Sequence, residues 1–358
     1  MKTTFLLLLG WLAGGGPAAW AAVPDVAAGT PALQKVAELV AEEGAGPRVW
    51  TDFAVDPDGR VFLLDGANVE VYTYSDRGVL LRKKGFAGHR AGEFAPFPRI
   101  HALPGEFWLT DGGQVARFNA AGKRLLEKRS RQRKRWQIPI DPRTVLALED
   151  DFDPVSRRWR SRLNLLDLRR EKTIKTLLEG HDLGCLFLDV HGQPLKVSLD
   201  EGILPDIHAA YSLREKRIYC GFTHGSDVLC FNAQGDYERR ILLRDDTELL
   251  GEAEKERIAA SLGIQEAGLK KTLLVRLPGR LANIVRCHPL DDSSLLVEKL
   301  GQDCRKRLFL YPRKWGPGVE LPVPDGGTVG PVACLDQRIF LLLSGDGGTR
   351  LVTYRLTP

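Results

Sequence analysis

Two five-residue segments of this chain are near copies of one another, Pro98-Arg99-Ile100-His101-Ala102 and Pro205-Asp206-Ile207-His208-Ala209. Aligning other short apolar runs on Ile100 and Ile207 brings in Phe53 and Ile284, which follow the polar residues Asp52 and Asn283. Gln137 takes the same place in a further run, and Pro331 in another. If these positions surround one opening, Asp52, Asp206 and Asn283 present two carboxylates and an amide to it. Such an oxygen set could hold Ca²⁺, which accepts carboxylates, carbonyls and water. His101 and His208 could serve as metal ligands or general bases. This alignment supplies no third histidine, because Val285 fills that slot, and so argues against a His-ligated zinc. The plainer reading is that Asp52, Arg99, Asp206 and Asn283 are wetted polar groups at a channel mouth, with Arg99 balancing Asp52 or Asp206. The two histidines are then products of repeat duplication. No cofactor is favoured, with calcium kept as the alternative.

A second constellation is basic. In residues 123 to 135, KRLLEKRSRQRKR, cations far outnumber the single Glu127, and Trp136 follows. Arg129, Arg131, Arg133, Lys134 and Arg135, with Arg158 and Arg160 further on, are the candidate anion contacts. They could attract an envelope polysaccharide or lipid head group, and interleaved Trp136 and Trp159 could stack on a sugar. The competing reading is a solvated loop followed by strands that send alternate charges to opposite faces. The net charge of the whole chain, +5, is too modest to imply a polyanion partner by itself. Nucleic acid is not an expected partner, because the chain reads as exported.

The chain contains no GxSxG, no Walker loop and no GxGxxG placed after a strand. Its six cysteines permit disulfides in an exported protein. Cys220 and Cys230 flank a Gly-containing turn and would face each other across a hairpin, unless the register slips by one residue. There is no CxxC.

The elements that must position these residues repeat along the chain. Residues 51 to 81 carry four short apolar runs separated by Asp-Pro-Asp-Gly, Gly-Ala-Asn and Ser-Asp-Arg-Gly. Turn residues between runs of period-two alternation predict an antiparallel meander. Residues 98 to 126 repeat it, with Asp111 where Asp65 stood, and residues 205 to 242 do so again. Weaker copies lie near 136 to 179, 282 to 321 and 328 to 356. A period of roughly 40 to 50 residues with four strands per unit predicts propeller blades. The fold class expected is all-β, a six-bladed β-propeller of four-stranded antiparallel blades.

With the blades drawn, a family resemblance emerges. The stretch from Phe53 to Ala102 resembles an NHL-type repeat and its link to the next blade. Its marks are the Asp56 to Gly59 turn, the aromatic-Leu-Leu-Asp strand, Asn68, and Gly88 through Phe94 before Pro96. The segment VLCFNAQGDYERRILLRDD, followed by an acidic helix, is similar to exported bacterial propellers of that kind. The resemblance implies the fold and leaves the function open, since propellers host lactonases, lyases, adhesion modules and RNA readers alike. A ring of acidic and amide side chains is also what calcium-dependent six-bladed lactonases use, and this chain is similar to them in that respect alone.

Residues 33 to 40 precede the first blade and could supply the outer strand that the last unit lacks, clasping the ring. Residues 251 to 274 read as a helical insertion after the fourth blade. At the start, Lys2, the apolar run from Phe5 to Ala13 and Ala19-Trp20-Ala21 read as a cleaved signal peptide over residues 1–21. The propeller is expected over residues 32–358, exported to the periplasm or exterior, not membrane-spanning, and monomeric. The function expected is binding or scaffolding of a partner protein or envelope component. A metal-dependent hydrolase and a polyanion-binding module are the alternatives.

Overall fold

A computed structural model describes residues 31–357 apart from 41–48, 89–92, 131–133, 154, 156–157, 191–192, 198, 200–201, 244–247, 263–265, 291–293, 313–316, 325 and 346–347. The expected signal peptide, residues 1–21, lies outside the described residues.

The first strand, β1 (Ala32–Val40), precedes the blades. Blade 1 comprises β2 (Asp52–Val55), β3 (Val61–Asp65), β4 (Glu70–Tyr74) and β5 (Leu80–Gly85). Blade 2 comprises β6 (Arg99–Leu103), β7 (Glu106–Thr110), β8 (Gln114–Asn119) and β9 (Arg124–Arg129). Blade 3 comprises β10 (Lys134–Pro139), β11 (Thr144–Asp153), β12 (Arg158–Asp167) and β13 (Lys172–His181). A hairpin of β14 (Leu186–Val190) and β15 (Gln193–Val197) precedes blade 4, which is β16 (Ile207–Ser212), β17 (Arg217–Phe222), β18 (Asp227–Asn232) and β19 (Tyr237–Leu242). Two helices follow, α1 (Glu252–Ser261) and α2 (Ala267–Arg276). Blade 5 is β20 (Arg286–Pro289), β21 (Ser294–Leu300), β22 (Lys306–Pro312) and β23 (Val319–Leu321). Blade 6 is β24 (Thr328–Leu335), β25 (Arg338–Gly345) and β26 (Gly348–Thr357), completed by β1. In that last sheet Ala32 stands opposite Thr357 and Val40 opposite Arg350, so strands from both ends of the chain share one blade.

Side-chain acceptors set the turns that make these meanders. Asp56 is fully buried, and its carboxylate accepts the N–H groups of Asp58 and Arg60, while Gly59 takes a φ of +83°. Between the second and third strands, Asp65 accepts the N–H of Asn68 in blade 1, and Asp111 accepts those of Gly113 and Gln114 in blade 2. After the third strand, Ser75, Asn119, Asp167 and Asn232 each accept N–H groups from the residues that follow. These side chains satisfy donors that a tight turn would otherwise leave without a partner.

A single meander buries neither face, and the core is divided accordingly. Phe62, Leu64 and Phe107 pack between blades 1 and 2, and Trp108, Val115 and Val145 between blades 2 and 3. Leu148, Leu163 and Ile218 fill the gap between blades 3 and 4, and Tyr219, Val228 and Val297 that between blades 4 and 5. Leu296, Leu341 and Val352 join blades 5 and 6, and Phe53, Leu63 and Phe340 join blades 6 and 1. The molecule is a six-bladed β-propeller.

Strand alternation gives the ring two unlike faces. Every inner strand begins at one face, the entry face, where the links between blades and the turns between second and third strands also emerge. The β14–β15 hairpin, α1 and α2 all belong to blade-to-blade links and therefore lie on the entry face. Ile258, Leu273 and Leu277 of the helical segment pack with Val197, Ile203 and Val285 into a small core of their own. In blade 3, β11 and β12 pair over ten residues, from Thr144 opposite Asp167 to Asp153 opposite Arg158. Their tip projects from the same face with Val155 92% exposed. No described helix is long and apolar enough to cross a membrane.

The Cys220–Cys230 bridge is corrected here. Cys220 stands opposite Leu229 and Cys230 opposite Tyr219, a register one residue away from the one a bridge needs. The two thiols therefore leave opposite faces of the sheet, Cys220 toward blade 3 and Cys230 toward blade 5. None of the six cysteines forms a disulfide.

Candidate functional site

The inner strands enclose a central cavity of about 480 Å³. Asp52, Arg99, Arg135, Asp206 and Arg286 line it at or near the starts of their strands, on the entry face. Asp52 and Asp206 use their carboxylates alike. One oxygen accepts the N–H of the next residue, from Phe53 at 3.0 Å and from Ile207 at 2.7 Å. The second oxygen of Asp52 accepts the Ile100 N–H of blade 2, and that of Asp206 accepts from Arg135 of blade 3. Burial pushes both carboxyls above their ordinary range, against the pull of Arg99 on Asp52 and of Arg135 on Asp206.

Blade 5 departs from the sequence alignment. Asn283 and Ile284 lie ahead of the inner strand, and the Ile284 N–H donates to Thr223 O of blade 4 instead of pairing within its own sheet. The inner strand β20 starts at Arg286, with Cys287 opposite Val297 as the apolar residue. Arg286 thus takes the slot of Arg99 and Asp206, and His288 the slot of His101 and His208. A third histidine is therefore present, contrary to the expectation from Val285. The polar-x-His spacing of Arg286-Cys287-His288 was the available signal, masked by the stronger apolar pair Ile284-Val285.

The three histidines turn into separate gaps between blades. His101 hydrogen-bonds the Gln137 backbone, and burial, then Arg99 and Arg286, lower its pKa to about 3. Its Nε2 is buried without a hydrogen-bond partner among the described residues. His208 Nδ1 lies 3.6 Å from Cys287 Sγ, and its ring sits against Gly221, where a Cβ would approach His208 Nε2 to 2.9 Å. His288 Nε2 is 2.6 Å from Glu298 Oε1, and Lys306 Nζ is 3.0 Å from Oε2 of the same carboxylate. Burial opposes the charge of Glu298, yet Lys306, His288 and Arg286 hold its carboxyl well below the ordinary range. Sequence reasoning missed this buried group, whose only trace is a Glu at an otherwise apolar strand position.

The residues of the calcium alternative are engaged elsewhere. Asp52 and Asp206 spend their oxygens on backbone N–H groups and Arg135, and Asn283 donates to Gly225 O at 3.4 Å. Among the described residues no three His, Cys, Asp or Glu side chains stand where they could share a metal ion.

The basic region is also rearranged. Lys134 and Arg135 belong to the inner strand β10, not to a solvated loop. Lys134 is buried, bonded to Ser130 and 3.2 Å from Glu149, and Arg135 reaches Asp206. Arg129 meets Glu127, Arg158 meets Asp182, and Arg160 forms a two-pronged pair with Asp151. Among the described residues, nearby carboxylates therefore offset these cations. Arg131 and Arg133 lie outside the described residues.

No protein-family model matches this chain, and no curated protein matches it. Among solved structures it is similar to a protein from Bacteroides fragilis NCTC 9343 that bears the description of an exported protein. That match has a TM-score of 0.59 at 11% identity and covers 92% of this chain and 96% of the other. A member of the DUF4221 family from Bacteroides vulgatus matches with a TM-score of 0.52 at 8% identity, over 92% and 98% of the two chains. The β-propeller domain of Cps50 (Swd1) from Myceliophteria thermophila matches with a TM-score of 0.50 at 9% identity, over 91% and 100%. At such identities the likeness shows the fold alone.

Proposed function

We propose that this chain is an exported, NHL-like propeller that acts as a binding or scaffolding module for a partner protein or envelope component. The partner is received on the entry face. The observation that carries this reading is the asymmetry of the ring. The β14–β15 hairpin, α1, α2 and the long β11–β12 tip all rise from the face at which Asp52, Arg99, Asp206 and Arg286 open the channel. Propellers place specificity in such excursions, because a rigid scaffold can carry variable loops without losing its core. Exposed Phe97 and Val155 stand on that face as apolar contacts.

Photo-crosslinking in native envelope tests it. Phe97→p-benzoylphenylalanine and Val155→p-benzoylphenylalanine on the entry face are predicted to capture the same partner. Val79→p-benzoylphenylalanine, in an exposed turn of the opposite face, captures nothing. Capture from Val79 alone overturns the reading.

A further inference from the structure

We propose that the channel mouth holds a small hydroxycarboxylate, its carboxylate gripped between the guanidinium groups of Arg99 and Arg286. This rests on the entry face being the ligand-receiving one, and it names the chemistry at its centre.

Arg99 and Arg286 occupy the same strand slot in blades 2 and 5, which stand opposite one another in a ring of six. Both line the cavity, whose volume of about 480 Å³ suits a small molecule. Arg99 is exposed, and its guanidinium has no direct ion-pair partner among the described residues. The nearby Asp52 carboxylate is turned to the Phe53 and Ile100 N–H groups instead. Guanidinium groups present paired donors that match the two oxygens of a carboxylate.

Charge selects a monoanion. At the mouth the guanidiniums of Arg99, Arg135 and Arg286 face the carboxylates of Asp52 and Asp206, and Asp150 stands 3.7 Å from Arg135, so the fixed charges balance. Behind Arg286, the Glu298 carboxylate is met by Lys306 and His288. A carboxylate adds one negative charge to this balanced set, whereas a phosphate dianion adds two in a confined site, which is costlier. His101 supplies the second half of the recognition. Its ring is neutral between two arginines, and its buried Nε2 is an acceptor without a partner among the described residues. The ring lines the cavity wall, and once swung toward the mouth it would accept from a hydroxyl next to the carboxylate.

Isothermal titration of the full chain at neutral pH tests this with D-glucuronate and L-lactate, against D-glucose and inorganic phosphate. Glucuronate, lactate or both are expected to bind saturably, at least about tenfold tighter than phosphate, with no heat from glucose. Arg99→Gln is expected to weaken binding about tenfold or more, the loss of a charge-assisted bond. Arg99→Lys keeps the charge but not the fork and falls between. Arg214→Gln, at the opposite end of the channel in the turn after β16, leaves binding unchanged. The proposal is overturned if neither carboxylate binds, if phosphate binds more tightly, or if Arg99→Gln binds like the parent. Partner capture through Phe97 and Val155 without hydroxycarboxylate binding would remove this ligand class and leave the partner reading standing.

Discussion

The Asp52 carboxylate in blade 1 accepts the backbone N–H of Ile100 in blade 2 at 3.2 Å, tying two neighbouring inner strands through one side chain. Its other oxygen accepts from Phe53 at 3.0 Å. Asp52→Ala leaves two buried N–H groups without an acceptor, and each such loss costs about 1–3 kcal/mol. Asp52→Asn keeps one acceptor oxygen and is predicted to lose less. Denaturant unfolding measures both, and an unchanged midpoint for Asp52→Ala would contradict the tie.

His101 makes the protein sensitive to acid. Its ring stays neutral in the folded state down to about pH 3, against 6.5 for an ordinary histidine, because of burial and the charges of Arg99 and Arg286. Between those values the unfolded chain binds more protons, so stability rises with pH across the window and is lost as pH falls through it. His101→Gln is predicted to flatten the dependence of the thermal midpoint between pH 4 and pH 6.5. By NMR the ring should remain neutral at pH 5, and titration near 6.5 would refute the buried neutral state.

Glu298 contributes in the same direction for a different reason. Its folded carboxyl is held low, so its contribution is present above the ordinary value of 4.5 and fades as pH falls below it. Glu298→Gln removes the fully buried carboxylate that Lys306 and His288 meet, a change that costs about 1–3 kcal/mol. A midpoint within error of the parent would mean that His288 and Lys306 do not depend on this carboxylate.

The fold was legible because turn chemistry and alternation agree in blades 1, 2 and 4. Asp56, Gly59, Asp65 and Asp111 are the residues their turns physically require. The channel was legible only where an apolar residue marks the start of the inner strand, as Phe53, Ile100 and Ile207 do. In blade 5 Ile284 imitates that mark, but its N–H is taken by Thr223 of the preceding blade, so the strand starts two residues later and Arg286 and His288 escape notice. Pairing of cations across strands was invisible for a related reason. Arg160 with Asp151, and Arg135 with Asp206, are contacts of register and closure that linear charge counting cannot see. Nor did the cysteine spacing reveal a one-residue offset.

That offset has a chemical consequence. Cys220 is fully buried and its thiol is pushed well above the ordinary range by that burial. It is predicted to resist iodoacetamide in the native protein and to react fully in denaturant. Peptide mapping without reduction should find no Cys220–Cys230 crosslink, and a crosslinked peptide would contradict the register of β17 and β18.

The inter-blade cores should dominate stability. Leu148 is fully buried between blades 3 and 4, and Leu148→Ala is predicted to cost about 2–5 kcal/mol. Leu125, 44% exposed on the outer strand β9, should cost within about 0.5 kcal/mol. Equal losses for the two would argue against packing between blades as the source of the core.

The central claim is that the face on which the inner strands begin does the binding, and charge reversal on the two faces tests it most directly. The measurement is quantitative capture from native envelope by the full chain, by Arg99→Glu at the entry mouth and by Arg214→Glu at the far end of the channel. The account predicts that Arg99→Glu loses the captured component while Arg214→Glu retains it. Retention by Arg99→Glu together with loss by Arg214→Glu would contradict it.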